Sequence, residues 1–253
     1  MHDTDALASR LAQSGAPEAA GASVVPKPAL IILHQEQSSP GQVGNVLRTQ
    51  GVPLDIRRPR FGEALPATLA NHSGVVIFGG PMSANDTEDY VKLEIGLVEL
   101  ALKEERPFLG LCLGAQMMAA ALGAKVCMHP QEHVEIGYHS VTPLPSATIG
   151  GEWPRTVFQW HKEGFDLPAG SVPLASADNW FTNQAFRYGR AAFGFQFHPE
   201  ITYAMVSRWS VRGAQRLELP GAQQRIDQLA SHLRHAPEVH RWLDRFIAEW
   251  LKL

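Results

Sequence analysis

Hydrophobic positions along the chain come first in short unbroken runs and then, between those runs, at helical spacing. Ala-Leu-Ile-Ile-Leu at 29–33, Val-Val-Ile-Phe at 75–78 and Pro-Phe-Leu-Gly-Leu at 107–111 are such runs, the pattern of strands buried on both faces of a parallel sheet. Leu-Asp-Ile at 54–56 predicts another strand. Between them, Val43, Val46 and Leu47 recur at helical spacing before Gly51, and Val91, Ile95, Val98 and Leu102 mark a helix over 90–105. A third helix, over 115–122, follows the run at 107–111 directly. This alternation predicts an α/β fold: a doubly wound, mostly parallel sheet with right-handed crossovers.

After Gly123 the pattern turns β-rich, with shorter strands expected at 124–128, 137–141, 156–160 and 191–197, punctuated by Pro, Gly and Asn. From Met205 onward it is helical, and Val239, Trp242, Leu243, Phe246, Ile247 and Trp250 outline one apolar face. That face either packs on the main domain or meets a partner. The expected organisation is a mobile Ala/Ser/Gly/Pro-rich leader over 1–27 with a helical turn at 6–11, a main domain over 28–205, and a helical extension over 206–253.

Composition narrows the function classes. With 253 residues, 45% hydrophobic and 19% charged, the chain suits one large domain, and a net charge of −3 without runs of like charge speaks against nucleic acid or an anionic membrane as partner. No apolar stretch approaches the roughly 18 residues of a membrane span, and the acidic start Met-His-Asp-Thr-Asp is unlike a signal peptide. A cytoplasmic location is expected, where Cys112 and Cys127 would stay as free thiols.

Gly110-Leu111-Cys112-Leu113-Gly114 joins a buried strand directly to a helix, and the flanking glycines permit a sharp turn. That is the setting of a nucleophile elbow, with the helix N-terminus aimed at the sulfur. The same pentapeptide also suits a thiol that merely packs as a small hydrophobe. Phe197-His198-Pro199-Glu200 ends the last expected strand, at the edge where α/β sheets build sites. His198 suits a base that takes the thiol proton and Glu200 an acceptor that orients it, although a strand-end histidine beside a solvated carboxylate has the same sequence. Gly79-Gly80-Pro81 opens on the same edge, either as a tight turn or as part of an oxyanion site built from the N–H groups of Gly80 and Leu113.

In this order, Gly79-Gly80-Pro81, Gly110 to Gln116 and Phe197 to Glu200 resemble the three signature blocks of the class I, triad-type glutamine amidotransferases, a resemblance that spans about residues 28–205. It implies a flavodoxin-like sheet and a triad of Cys112, His198 and Glu200 that cleaves a γ-glutamyl amide through a thioester. It further implies backbone oxyanion donors at Gly80 and Leu113, a glutamine-holding side chain at Gln116, and substrate contact along Glu135-Ile136-Gly137-Tyr138, through Gly137 and Tyr138. No cofactor is implied. The expected substrate is glutamine or another small γ-glutamyl compound, with a separate synthase polypeptide as partner if ammonia is to be delivered.

Other features carry less. His129, His133 and His139 with Glu132 could ligate zinc only if helical, and Pro130 interrupts such a helix, so no metal is expected. No phosphate-binding glycine motif occurs. Cys127 is expected in an apolar strand and His161 at the rim of the site. Three functions fit: a free-standing glutaminase resembling that part of guanylate synthase, a hydrolase of γ-glutamyl peptides or amines with the same triad, and an inactive binding or regulatory module.

Overall fold

The computed structural model describes residues 26–253, so the leader expected over 1–27, with its turn at 6–11, falls outside the described residues save its last two. The apolar runs form β1 (Ala29–Ile32), β3 (Gly74–Ile77) and β4 (Phe108–Leu111), each buried at every position. β2 (Leu54–Arg57) is half-buried at one edge. A further run gives β12 (Ala192–Phe195), also wholly buried. These strands are mutually parallel in the order β2-β1-β3-β4-β12, the flavodoxin-like order of a doubly wound sheet. Three antiparallel strands, β11 (Asn183–Tyr188), β10 (Val172–Ser176) and β7 (Thr142–Pro143), extend the far edge.

Alternate residues of the central strands feed two cores. On one face Ile31, Val76, Leu109, Phe193 and Phe195 meet α1 (Gly41–Thr49) and α5 (Arg225–Trp250). On the other, Leu30, Ile32, Val75, Ile77 and Phe108 meet α2 (Asp89–Lys103) and α3 (Leu113–Ala121). Two ribbons, β5 (Val126–Met128) with β9 (Glu163–Phe165) and β6 (Glu135–Ser140) with β8 (Thr156–His161), flank the carboxyl edge of the sheet.

The C-terminal stretch is helical, as its pattern predicts, but in separate pieces. It divides into α4 (Tyr203–Arg212), a 3-10 turn (Ala214–Glu218) and α5, with Gly213 and the Pro220-Gly221 pair at the breaks. The expected boundary at 205 falls inside α4. The apolar face of α5, from Val239 to Trp250, lies in the same core as β1, β3 and β12. Among the described residues, no helix is long and apolar enough to cross a membrane.

Candidate active site

In-register pairing of Ile77 with Gly110 and of Leu111 with Phe195 brings the chain just past β3, β4 and β12 to one edge of the sheet. Gly79, Cys112 and His198 therefore emerge side by side. The strand order reverses between β1 and β3, and an open α/β sheet forms its crevice at such a point.

Cys112 stands between β4 and α3 with φ 51° and ψ −103°, a conformation that side-chain-bearing residues rarely adopt. Its N–H donates to Phe195 O (2.7 Å) and its carbonyl accepts from Gln116 N (3.0 Å), so both sides of the strained residue are tied down. The flanking glycines are required by contact: a Cβ on Gly110 would lie 2.4 Å from Gly114 O, and one on Gly114 would lie 2.2 Å from Ile77 O. As first residue of α3, Leu113 has an N–H with no carbonyl inside the helix to bond. No backbone carbonyl among the described residues accepts from it or from the N–H of Gly80.

Three buried histidines each face a glutamate, and they differ in what is left over. His34 bonds Glu94 (2.7 Å) and the carbonyl of Gly79 (3.1 Å). His161 bonds Glu135 (3.0 Å) and the carbonyl of Glu163 (2.9 Å). His198 bonds Glu200 through Nδ1 (2.8 Å), while its Nε2 has no partner. The Cys112 thiol sits against this ring without completing a hydrogen bond; a Cβ on Gly79 would touch both, at 2.7 Å from His198 Cε1 and 3.5 Å from Cys112 Cβ. Burial alone would strip the His198 ring of its proton, but Glu200 and Cys112 together push its pKa up to about 10. Trp209 meets the ring edge-on at 5.1 Å.

These groups line a cavity of about 260 Å³ together with Trp160, Trp209 and the arginines Arg208, Arg212 and Arg216. None of these arginines has a carboxylate within 4.0 Å among the described residues. No motif announced them, or Trp209: α4 begins only three residues after Glu200, but the signature block itself ends at Glu200.

The residues assigned by resemblance alone sit elsewhere. Gln116 is buried in the first turn of α3, its amide donating to Glu163 O (2.7 Å) and Gln196 Oε1 (3.3 Å). Gly137 (φ 109°) and Tyr138 lie in β6, where the Gln223 side chain accepts from Tyr138 N (2.9 Å) and donates to its carbonyl. The Tyr138 hydroxyl meets His232 at 2.8 Å. None of the three lines the cavity. Two expectations are corrected. His161 is not at a rim but buried and fully bonded, and Cys127 is solvent-exposed in β5, where Val126 alone is buried. His129 and His133 pack against Trp180, and among the described residues no three His, Cys, Asp or Glu side chains are grouped as metal ligands.

Comparison with known proteins shows the family and the fold. The profile of the family described as glutamine amidotransferase class-I matches residues 41–205. A glutamine amidotransferase-like protein of Salmonella typhimurium, YfeJ, is 30% identical over 187 residues, covering 69% of this chain and 76% of its own. A glutamine-hydrolysing GMP synthase of Neisseria gonorrhoeae is 32% identical over 152 residues, which are 54% of this chain but 26% of that enzyme. Among solved structures, a glutamine amidotransferase of Methylobacillus flagellatus superposes with a TM-score of 0.83 at 30% identity, covering 90% of this chain and 95% of its own. One of Thermotoga maritima gives 0.81 at 32%, covering 89% and 98%.

Proposed function

Since the chain belongs to the class I glutamine amidotransferase family, we propose that it hydrolyses a γ-glutamyl amide through a thioester on Cys112. The Cys112 sulfur attacks the side-chain carbonyl carbon, and the oxyanion that forms is met by the N–H groups of Gly80 and Leu113. His198, holding a proton on the ring face beside the sulfur, delivers it to the departing amine as the C–N bond breaks. Water then attacks the thioester with the neutral ring as base, releasing glutamate and restoring the thiol. Glu200 keeps Nδ1 bonded throughout, so the ring exchanges protons only through Nε2.

The observation that carries this reading is that, of the three buried His–Glu pairs, only that of His198 leaves a ring nitrogen free, and that ring lies against the strained thiol. The test is covalent labelling by a glutamine-like diazoketone or chloroketone. We expect attachment at Cys112 in the wild type and in Cys127→Ala, and no turnover in Cys112→Ala. Because Cys127 is exposed, labelling confined to Cys127 would overturn the assignment.

Glutamine is the substrate favoured by the match to the glutamine-hydrolysing GMP synthase, and a separate synthase polypeptide would then take the ammonia. A second reading is favoured by Arg208, Arg212 and Arg216 around the cavity. Unpaired guanidiniums suit a substrate with a carboxylate beyond that of the glutamyl end, such as a γ-glutamyl peptide. Side-by-side assays on glutamine, glutathione and a γ-glutamyl amine separate the two. Fast turnover of glutathione, with a KM that Arg212→Ala raises far more than for glutamine, would select the peptidase.

A further inference from the structure

The buried pair His34–Glu94 takes no part in the reaction just described. His34 follows β1, Glu94 is on the inner face of α2, and both side chains are wholly buried with Nε2 and Oε2 2.7 Å apart. A buried polar pair is weak evidence for stability, since apolar side chains of the same volume usually serve a core as well. Here one carboxylate oxygen, Glu94 Oε1, even lacks a partner.

What the pair holds is a single peptide group. His34 Nδ1 is 3.1 Å from the carbonyl oxygen of Gly79, and a carbonyl only accepts, so Nδ1 carries the hydrogen. No backbone N–H among the described residues donates to that oxygen. The carbonyl of Gly79 and the N–H of Gly80 share one peptide, and since the chain has no cis bonds among the described residues the two point in opposite directions. With the oxygen drawn to His34, the N–H of Gly80 is turned away from it, where Gly79, Gly80 and Pro81 line the cavity with Cys112.

The glycines record how tightly this turn is held. A Cβ on Gly80 would come within 2.9 Å of His34 Cγ, and one on Gly79 within 2.7 Å of His198 Cε1. The Gly79-Gly80 peptide is wedged between two histidines, one beside the thiol and one behind.

We propose that His34 and Glu94 are positioning residues for the oxyanion site: Glu94 fixes the His34 ring, and His34 locks and polarises the Gly79-Gly80 peptide so that the N–H of Gly80 meets the developing oxyanion. A hydrogen bond to a peptide oxygen strengthens the N–H at the other end of the same group, by about 10–30%, and locking removes the reorganisation a free turn would need as charge develops. The inference rests on the reading of Cys112 as nucleophile and Gly80 as donor.

Glutamate γ-semialdehyde is the probe that isolates it, because its aldehyde adds to the thiol and presents an oxyanion-like oxygen without any leaving group. In His34→Leu we expect kcat on γ-glutamyl p-nitroanilide and affinity for the aldehyde to fall together, by about 100-fold, with KM changed less than about threefold. His34→Asn, which keeps a short N–H donor, should recover at least about tenfold of each loss. Glu94→Gln should fall between, and Glu94→Gln added to His34→Leu should cost nothing more. A folded His34→Leu with wild-type kcat and aldehyde affinity overturns the proposal. So does an equal loss in KM and aldehyde affinity, which would mean a generally damaged pocket. If His34→Leu does not fold, His34→Asn and Glu94→Gln carry the same readouts. Failure of the underlying reading looks different: the wild type would then neither bind the aldehyde at Cys112 nor take the diazoketone label there.

Discussion

At the scale of single residues, the candidate site is defined by which hydrogen bonds are absent. A histidine with both nitrogens bonded can orient a neighbour but cannot shuttle a proton, and this separates His198 from His34 and His161. The raised pKa of His198 has a definite sign. Its folded value, about 10, exceeds its ordinary 6.5, so the imidazolium stabilises the fold fully below about 6.5 and that contribution is lost as pH climbs through about 10. Catalysis should follow the same proton: kcat/KM should hold through neutral pH and decline on an alkaline limb near 10. Glu200→Gln removes the carboxylate charge that raises the ring, so the limb should move to lower pH while kcat falls by roughly 10²–10⁴. His198→Ala should lose about 10⁴-fold or more with no limb to move. A limb that stays in place in Glu200→Gln would assign it to another group. The residues of the proposed triad could be singled out because each has a telling neighbour in sequence: Cys112 its two glycines, His198 its Glu200. His34 and Glu94 could not, because sixty positions separate them and nothing in either local sequence refers to the other.

At the scale of elements, the elbow between β4 and α3 works by exclusion of side-chain atoms, and its glycines differ in what they exclude. A Cβ on Gly114 would strike backbone, Ile77 O at 2.2 Å, and a strand in mid-sheet cannot retreat. Gly114→Ala should therefore destabilise the protein by about 1–3 kcal/mol or more, a fall of several degrees in Tm by calorimetry. A Cβ on Gly79 would strike a side chain, His198 Cε1 at 2.7 Å, which can swing aside. Gly79→Ala should keep its Tm within a degree or two yet lose about 100-fold in kcat. The reverse pattern would mean that the elbow, not the ring, yields. The central strands were legible because burial on both faces makes their sequences continuously apolar. β10 and β11 were not, because Pro173 interrupts one and the other buries a polar side chain, Gln184, which bonds Glu135, Gln159 and the carbonyl of Phe181 in place of an apolar contact.

At the scale of the whole molecule, the C-terminal helices connect the fold to the site. α4 supplies Met205, Arg208, Trp209 and Arg212 to the cavity wall, and α5 closes the core beneath the sheet. Trp250, wholly buried, places its indole N–H 3.3 Å from both Phe108 O and Ala191 O and lies so close to β3 that a Cβ on Gly74 would come within 2.8 Å of its ring. The family profile ends at 205, yet the superposition on the Methylobacillus flagellatus protein covers 90% of this chain and cannot do so without the helices that follow. Sequence alone gave the apolar face of α5 two uses, packing or docking, because periodicity specifies a buried stripe and not what buries it. Its packing here makes the helix part of the stability of the whole. Trp250→Ala should cost about 3–5 kcal/mol, a large share of the roughly 5–15 kcal/mol that holds a domain folded. A chain ended at residue 205 would bare the aromatic faces of β12 and strip the cavity of part of its wall, so it should show no cooperative thermal transition and take no label at Cys112. A truncated chain that melts cooperatively and still labels would instead make residues 206–253 an appendage, free to be the surface on which a synthase docks.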